Sequence, residues 1–361
     1  MLFTTIEFGI FTFIVFVLYW FILNKNNKLQ NLLLLLSSYF FYAFWDWRFL
    51  FLLIFNSFTN YIIGKFIHLS NKKKARKRWL ILGLFLNIGV LIYFKYFNFF
   101  IESFINLFSK FGIILQYPSL SIILPIGISF YTFLSISYII DVYQKKIANS
   151  VNIIHVLLAL SFFPIILAGP IQRPVSLISQ INNKRIFNYS FATNGLKQIL
   201  WGLFMKVVIA DRCALIVNQI FQNFSIHKGS TLLSGGLFYT IQVYSDFAGY
   251  SLIALGVSKL FGFDLMKNFA YPYFSRDITQ FWKRWHISLT TWFRDYVFLP
   301  ISYQLSRRFP SEKVLFIKTD IFIYFIGISL TWLLTGLWHG GNYTFVLWEL
   351  LMDFSCLFTR Y

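Results

Sequence analysis

A histidine in a short run that contains three glycines lies where two apolar blocks meet. His339 lies in the run TGLWHGG, residues 335–341. An imidazole titrates near neutral pH, so it can accept a proton from a hydroxyl or thiol nucleophile and later return it. The glycines allow a ligand or another backbone to approach closely. His339 is therefore a candidate catalytic base, and the alternative is a hydrogen-bonding histidine at a helix end.

A second group of chemically active side chains lies in residues 277–299. On one continuous helix, the polar residues would gather on one face and the aromatic and apolar residues on the adjacent one. This pattern predicts a helix in the membrane interface with its charged face towards lipid headgroups, and the alternative is a simple amphipathic anchor. The polar face would hold Lys283, Arg284, Ser288, Thr291, Arg294 and Asp295, and the other face Trp282, His286, Leu289 and Phe293.

Asp246 and Gln242 are four residues apart and thus share one helix face. A buried aspartate needs a cation or several donors to stay charged. Arg173, Arg212 and Arg284 are the candidate cations, and the sequence does not choose among them. The pair is consistent with a direct role in the chemistry and equally with a polar network that holds helices together.

The elements that must position these residues are membrane helices. Of 361 residues, 58% are hydrophobic and 12% are charged, about half the charged share of a soluble chain. The apolar residues form blocks of the length that crosses a bilayer, about 20 helical residues. The sequence predicts an all-α polytopic membrane protein with spans near 6–23, 29–45, 48–67, 79–100, 120–141, 152–168, 192–221, 231–262, 314–337 and 339–358.

Basic residues follow the first, third and fifth predicted spans. The densest run is KKKARKR, residues 72–78, and the other loops carry Lys25 with Lys28 and Lys145 with Lys146. Alternation puts these loops on one side, so that side is predicted to be cytoplasmic and the N-terminus outside. The prolines at 164, 170 and 174 break the next apolar run. The sequence there fits a re-entrant element as well as it fits a full span.

Several classes of function are disfavoured. The net charge is +19, but the basic residues sit in connecting segments, and the densest run, residues 72–78, has no interleaved aromatics. We therefore expect lipid headgroups and not nucleic acid as their partner. The sequence lacks HExxH, Walker, GxSxG and paired-cysteine signatures, which argues against metalloproteases, NTPases and serine hydrolases. We expect no metal site.

The sequence resembles the membrane-bound O-acyltransferase family, in the branch of the membrane subunit of bacterial alginate O-acetyltransferase and its peptidoglycan-acetylating relatives. The matching segments follow the family's order through most of the chain. The most specific are residues 268–300, NFAYPYFSRDITQFWKRWHISLTTWFRDYVFLP, and residues 334–340, LTGLWHG.

The resemblance implies one transmembrane domain over residues 1–361, with a ring of helices around a tunnel. It implies that His339 and His286 are catalytic. From the residue chemistry, we expect supporting or tunnel-lining positions for Trp338, Trp285, Arg284, Asp246 and Gln242. An acetyl group from acetyl-CoA, with no bound cofactor, would be passed to an extracytoplasmic polysaccharide with the help of a partner protein. The expected location is the bacterial inner membrane, as a multi-pass protein.

Two other interpretations stay open. Family members usually continue beyond the position of Tyr361, so a divergent, shortened or frameshifted member is expected. A transport or scaffold subunit without chemistry of its own is the alternative from another class, and a D-alanyl transfer protein is a variant within the family.

Overall fold

The computed structural model describes residues 1–113, 122–148, 152–167, 169–314, 316–342, 344–345 and 347. These residues are mostly helical, which confirms the prediction of an all-α fold. They also form a small antiparallel hairpin, β1 (Lys313–Val314) and β2 (Ile317–Lys318). The α-helices in chain order are α1 (Ile6–Val17), α2 (Asn27–Ala43), α3 (Trp47–Leu69), α4 (Lys73–Ser109), α5 (Ile128–Tyr143), α6 (Ile153–Ser161), α7 (Phe163–Ile166), α8 (Pro174–Asn182), α9 (Tyr189–Leu203), α10 (Asp211–Gln222), α11 (Gly229–Leu260), α12 (Ile278–Trp282), α13 (Ile287–Phe293), α14 (Leu299–Arg308) and α15 (Thr319–His339).

Some of these helices continue as wider π-helical turns. Such turns follow α1 (Leu18–Ile22), join α9 to α10 (Phe204–Ala210) and join α13 to α14 (Arg294–Phe298). A π-helical turn changes the direction in which the following side chains point, and it occurs often at functional sites. The segments α9–α10 and α13–α14 are therefore continuous helices with a local change of winding.

Short polar side chains set the start of several helices. The Asn26 side chain accepts hydrogen bonds from the backbone N–H groups of Lys28 and Leu29 at 3.0 and 3.2 Å. Asp46 accepts from the N–H of Arg48 at 2.9 Å, at the start of α3. These side chains satisfy backbone donors that have no partner within the helix. The polar connectors between the apolar blocks thus define where these helices begin.

Three helices in the described part of the chain are long and apolar enough to cross a membrane. They are α3, α4 and α15, with 23, 37 and 21 residues. Shorter apolar helical stretches lie at 6–22, 128–143 and 153–166. The predictions of helical spans near 6–23, 29–45, 48–67, 79–100, 192–221 and 231–262 match helices in position.

The remaining predicted spans differ from the structure. The helix predicted over 120–141 begins at Ile128, with residues 114–121 outside the described part. The helix predicted over 314–337 begins at Thr319, because the preceding residues pair as β1 and β2. The span predicted at 339–358 lies almost wholly outside the described residues.

The apolar run at 153–166 is interrupted. Phe162 leaves the helical conformation with φ −54° and ψ 110°, between α6 and α7. Pro164 follows at the start of α7 and has no N–H to continue the ladder of α6. Nine residues of α6 rise about 14 Å, less than half of the hydrocarbon layer. These residues therefore do not form one continuous spanning helix.

The chain divides into two compact units. The first comprises residues 1–80 and 138–268, and the second comprises the described parts of residues 81–137 and 269–361. The prediction of one domain over residues 1–361 stays a prediction.

Phenylalanine rings form the centre of the first unit. The ring of Phe11 from α1 lies 6.1 Å from that of Phe41 in α2 and 5.3 Å from that of Phe163 in α7. All three side chains are buried. Offset and edge-to-face contacts between such rings add stability beyond the burial of their area. The interrupted element α7 is thus packed into the core.

Two pairs of glycines bring the backbones of α9 and α11 together. A Cβ atom at Gly202 would lie 2.6 Å from the carbonyl oxygen of Gly249, and one at Gly256 would lie 2.5 Å from that of Gly195. No larger residue fits there unless the helices move apart. Close approach of small residues is a common way to pack helices in lipid, where water supplies no driving force between them.

Two of the basic loops lie at the same end of the first unit. Arg76, in the first turns of α4, donates a hydrogen bond to the carbonyl of Tyr143 at 2.6 Å, and its guanidinium lies 5.2 Å from that ring. Tyr143 ends α5, directly before Lys145 and Lys146. The cluster at 72–78 is thereby tied to the loop after α5, as the alternation of spans predicts.

In the second unit, the prediction of one helix over residues 277–299 is wrong. The chain breaks between α12 and α13, where His286 adopts left-handed backbone angles of φ 44° and ψ 48°. A right-handed helix cannot continue through such a residue. The polar face expected for a continuous helix is divided as well, because Lys283 is exposed whereas Ser288 is fully buried. The break changes the direction of the chain at one of the two candidate histidines.

Candidate active site

His339 is the last residue of α15, and its side chain is exposed. The two glycines that follow are approached closely, as expected. A Cβ atom at Gly340 would lie 2.6 Å from the ring of Phe345, and one at Gly341 would lie 2.9 Å from the Cβ of Phe99 in α4. The glycines thus let the chain after His339 pass directly against aromatic side chains.

A stack of three aromatic rings fixes the end of α15. The ring of Phe133 in α5 lies 5.7 Å from that of Trp338 and 4.0 Å from that of Trp292 in α13, nearly parallel to the latter. The indole N–H of Trp292 donates to Ser137 Oγ at 2.7 Å, which fixes the rotation of this ring. One side chain of α5 therefore packs against both helices that carry the candidate histidines.

His286 is buried, with 5% of its surface exposed. A side chain other than glycine in the left-handed region costs about 1–3 kcal/mol, which the surrounding packing must offset, and such residues cluster at functional sites. His286 lies outside the helices long enough to span a membrane. Burial lowers the pKa of its imidazole to about 3, and the nearby imidazole of His339 adds to the decrease. His286 is therefore neutral at physiological pH, with one ring N–H and one free-base nitrogen.

The two histidines contact the same indole ring. The ring centroid of Trp338 lies 6.0 Å from that of His286 and 4.9 Å from that of His339, both edge to face. The structure thus brings together three of the predicted site residues, His339, His286 and Trp338. An exposed imidazole can act as a base, while a buried neutral one beside it can donate or accept a hydrogen bond without a change of charge.

Two residues that the sequence analysis missed lie against the last turn of α15. Lys95 Nζ donates to the carbonyl of Trp338, and the Tyr96 hydroxyl donates to the carbonyl of Leu337. Both donors belong to α4. Lys95 is an isolated cation within an apolar span, and such a residue in a membrane helix is a functional candidate by itself. That signal was present in the sequence.

Trp285 and Arg284 support the fold of the segment before His286. The ring of Trp285 lies 5.1 Å from that of Phe269 and is stacked 5.6 Å from that of Phe281. Arg284 donates to the carbonyl of Phe274 at 3.1 Å, while its own carbonyl accepts from Ala270 N–H at 3.0 Å. These contacts hold the loop in which His286 takes its left-handed conformation.

Asp246 and Gln242 belong to the first unit, on α11. The cation beside Asp246 is Lys206, at 2.6 Å, and not one of the three arginines considered from the sequence. Lys206 also pairs with Asp211 at 2.8 Å. The Asp246 side chain is 46% exposed, so its charge does not need several buried donors. Gln242 is half-buried, and its Oε1 has no hydrogen-bond partner among the described residues.

The sequence profile of the membrane-bound O-acyltransferase family matches residues 143–359. The chain is 40% identical over 327 residues to the probable alginate O-acetylase AlgI of Pseudomonas aeruginosa, covering 90% of this chain and 59% of that protein. It is 34% identical over 358 residues to the peptidoglycan O-acetyltransferase of Helicobacter pylori, covering 91% of this chain and 64% of that protein. It is also 31% identical over 220 residues to the teichoic acid D-alanyltransferase of Bacillus subtilis, covering 60% of this chain and 53% of that protein.

The chain thus spans about three fifths of the length of the alginate O-acetylase relatives. The profile match includes α6 to α15 and both candidate histidines. Together with the apolar helices, it confirms an integral membrane protein, and the predicted branch of the family is confirmed by the alginate O-acetylase relatives. The chain belongs to the membrane-bound O-acyltransferase family.

Proposed function

We propose that this protein is an O-acyltransferase that moves an acetyl group from a cytoplasmic acyl donor to a hydroxyl group of an extracytoplasmic polysaccharide. The observation that carries the proposal is the contact of His339 and His286 with the one indole ring of Trp338. The exposed histidine is accessible to a substrate, while the buried one is fixed and neutral.

His339 acts as the general base in this proposal. Its imidazole takes the proton of the attacking hydroxyl group while the oxygen forms a bond to the thioester carbonyl carbon. The carbon–sulfur bond then breaks, and the imidazolium returns the proton to the departing thiolate. The donor is acetyl-CoA, so the products are an acetyl ester and coenzyme A. General base catalysis of this kind contributes about 10²–10⁴-fold to a rate.

His286 supports the charge that develops on the carbonyl oxygen. A neutral imidazole presents one N–H donor, and a donor fixed in a water-poor site stabilises an oxyanion more than one in water does. The low pKa of His286 keeps it in this neutral form at working pH. Trp338 contacts both imidazoles and orients them.

The identity of the acceptor is inferred from the names of the relatives. Relatives named for alginate and peptidoglycan O-acetylation match about 90% of this chain, whereas the teichoic acid D-alanyltransferase matches 60%. We therefore propose acetyl transfer to an alginate-like glycan or peptidoglycan. The protein would be a multi-pass protein of the bacterial inner membrane, with its basic loops in the cytoplasm. A partner protein outside the cytoplasm would complete the transfer.

The test measures glycan O-acetyl esters in cells that lack this gene and are complemented with the wild type, His339→Ala or His227→Ala. His227 lies in the connector between α10 and α11 and serves as the matched control. We expect the wild type and His227→Ala to restore the esters and His339→Ala to leave them near background, at equal protein levels.

Other results of this experiment would indicate other functions. Equal restoration by wild type and His339→Ala would refute the role of His339 and leave a transport or scaffold subunit. If D-alanyl esters and no acetyl esters depend on the gene, the protein is a D-alanyl transferase. Purified wild-type protein that does not transfer label from labelled acetyl-CoA would argue against this donor.

A further inference from the structure

Two consecutive residues of α4 bind the last two carbonyl groups before His339. The Lys95 ammonium donates to the carbonyl of Trp338, and the buried Tyr96 donates to that of Leu337. The carbonyls in the last turn of a helix have no donor within the helix. Side chains of a neighbouring helix therefore complete the hydrogen bonding of α15 at the residue that carries the candidate base.

Lys95 is held at this point from three sides. In addition to the carbonyl contact, its Nζ lies 5.3 Å from the centre of the Trp338 ring and 3.5 Å from Ser129 Oγ in α5. A carbonyl, a π face and a hydroxyl all attract a cation. The half-buried ammonium is thus fixed on the residue that precedes His339.

A cation at the end of a helix also has an electrostatic effect. The unsatisfied carbonyls there carry a partial negative charge. An ammonium bonded to one of these carbonyls offsets that charge. The other titratable groups that the described residues place against this end of α15 are Tyr96 on α4 and His286 at the start of α13.

We propose that Lys95 is a positioning residue for His339. Through the carbonyl of Trp338, it fixes the direction in which α15 presents the imidazole of His339, and its charge offsets the negative end of that helix. The proposal rests on the proposed function of His339, because positioning matters only if that imidazole takes part in the reaction.

The first test is kinetic and uses purified full-length protein with labelled acetyl-CoA. For Lys95→Met, we expect kcat to fall at least about tenfold while KM for the donor changes less than about twofold. Lys95→Arg, which keeps charge and donors, should recover most of the rate. Lys65→Met, a lysine exposed on α3, is the matched control and should match the wild type.

The second test does not depend on activity. Diethyl pyrocarbonate acylates the ring nitrogens of histidine, and mass spectrometry can follow the rate of modification at His339 separately from other residues. His339 is already exposed, so loss of Lys95 should not speed the reaction by opening access. Because the end of α15 would no longer be held, we expect Lys95→Met to change the rate of modification about threefold, the size of a helix-end effect, and Lys95→Arg to restore the wild-type rate.

Lys95→Gln replaces Lys95→Met if the latter does not fold, because it keeps a donor for the carbonyl and lacks the charge. Unchanged kcat together with unchanged modification of His339 in a folded Lys95 variant would overturn the proposal. If the wild type transfers no acetyl group, the proposed function fails, and the modification rates still decide whether Lys95 acts on His339.

Discussion

The ring of His286 lies 6.0 Å from the ring of Trp338, edge to face, and the next residue after Trp338 is His339. The contact joins a left-handed break between two short helices to the end of a 21-residue helix. It places a buried neutral imidazole and an exposed imidazole around one indole.

Removal of the indole should loosen both histidines. Trp338→Leu loses the ring contacts with Phe133, His286 and His339, each worth about 0.5–1.5 kcal/mol for an aromatic pair. We expect the unfolding free energy to fall by about 1.5–4.5 kcal/mol and acetyl transfer to fall with it. Thermal unfolding in detergent, followed by circular dichroism, measures the first effect. A variant as stable and as active as the wild type would contradict it.

The stability of the protein should depend on the protonation of His286. Because the pKa of this group is lowered from its ordinary value of 6.5 to about 3, the unfolded chain binds a proton between these values that the folded protein does not. The unfolding free energy should therefore fall as pH falls below 6.5, by roughly 1.4 kcal/mol per pH unit from this group.

The measurement compares wild type with His286→Gln, which has no titrating group at this position. Unfolding at pH 7.5, 6.0 and 5.0 should show a steeper acid loss for the wild type than for the variant. Equal slopes for the two proteins would show that His286 is not held neutral by the fold.

The closeness of α9 and α11 should depend on their glycines. In Gly202→Val, a Cβ would stand 2.6 Å from the carbonyl oxygen of Gly249, so the helices must separate. We expect the unfolding free energy to fall by about 1–3 kcal/mol, as at other overpacked sites. The ion pair between Lys206 and Asp246 should also weaken.

Gly236 provides the control for this prediction. It lies on α11 with nothing within 4 Å of the position of an added Cβ. Gly236→Ala should keep or slightly raise thermal stability, since alanine favours a helix over glycine. Equal effects of the two substitutions on the unfolding temperature would argue against close packing at Gly202.

The hydrogen bond between Trp292 and Ser137 should contribute to the aromatic stack. Ser137→Ala leaves the buried indole N–H without its acceptor, which costs about 1–3 kcal/mol. Ser306→Ala on α14, where the serine is exposed and donates to the carbonyl of Tyr303, should lower the unfolding free energy less. Thermal unfolding of both variants measures the two losses of stability. A larger loss for Ser306→Ala than for Ser137→Ala would contradict the prediction.

Hydrophobic blocks and turn-forming residues were sufficient to predict the class of the protein. Helices α3, α4 and α11 lie where the apolar blocks predicted them, because a bilayer requires long apolar stretches with internal backbone hydrogen bonds. The motif around His339 was also visible locally, since its glycines and its place at the end of an apolar block are features of neighbouring residues.

Local sequence did not predict the break in the chain at His286. The spacing of polar residues over 277–299 fits a helix, but contacts such as Ala270 N–H to the carbonyl of Arg284 fold the segment back before α13 begins. Side-chain periodicity describes the faces that a helix would have. It does not include the tertiary contacts that stabilise a left-handed residue.

The sequence by itself determined that this is an α-helical membrane protein of an acyltransferase family with His339 at a helix end. Only the tertiary structure decided which groups surround that histidine: Lys95 lies 243 positions before Trp338, and Lys206, not an arginine, pairs with Asp246. The physical reason is range. Hydrophobicity and backbone propensity act between near neighbours, whereas ion pairs and ring contacts join residues that are brought together only by folding.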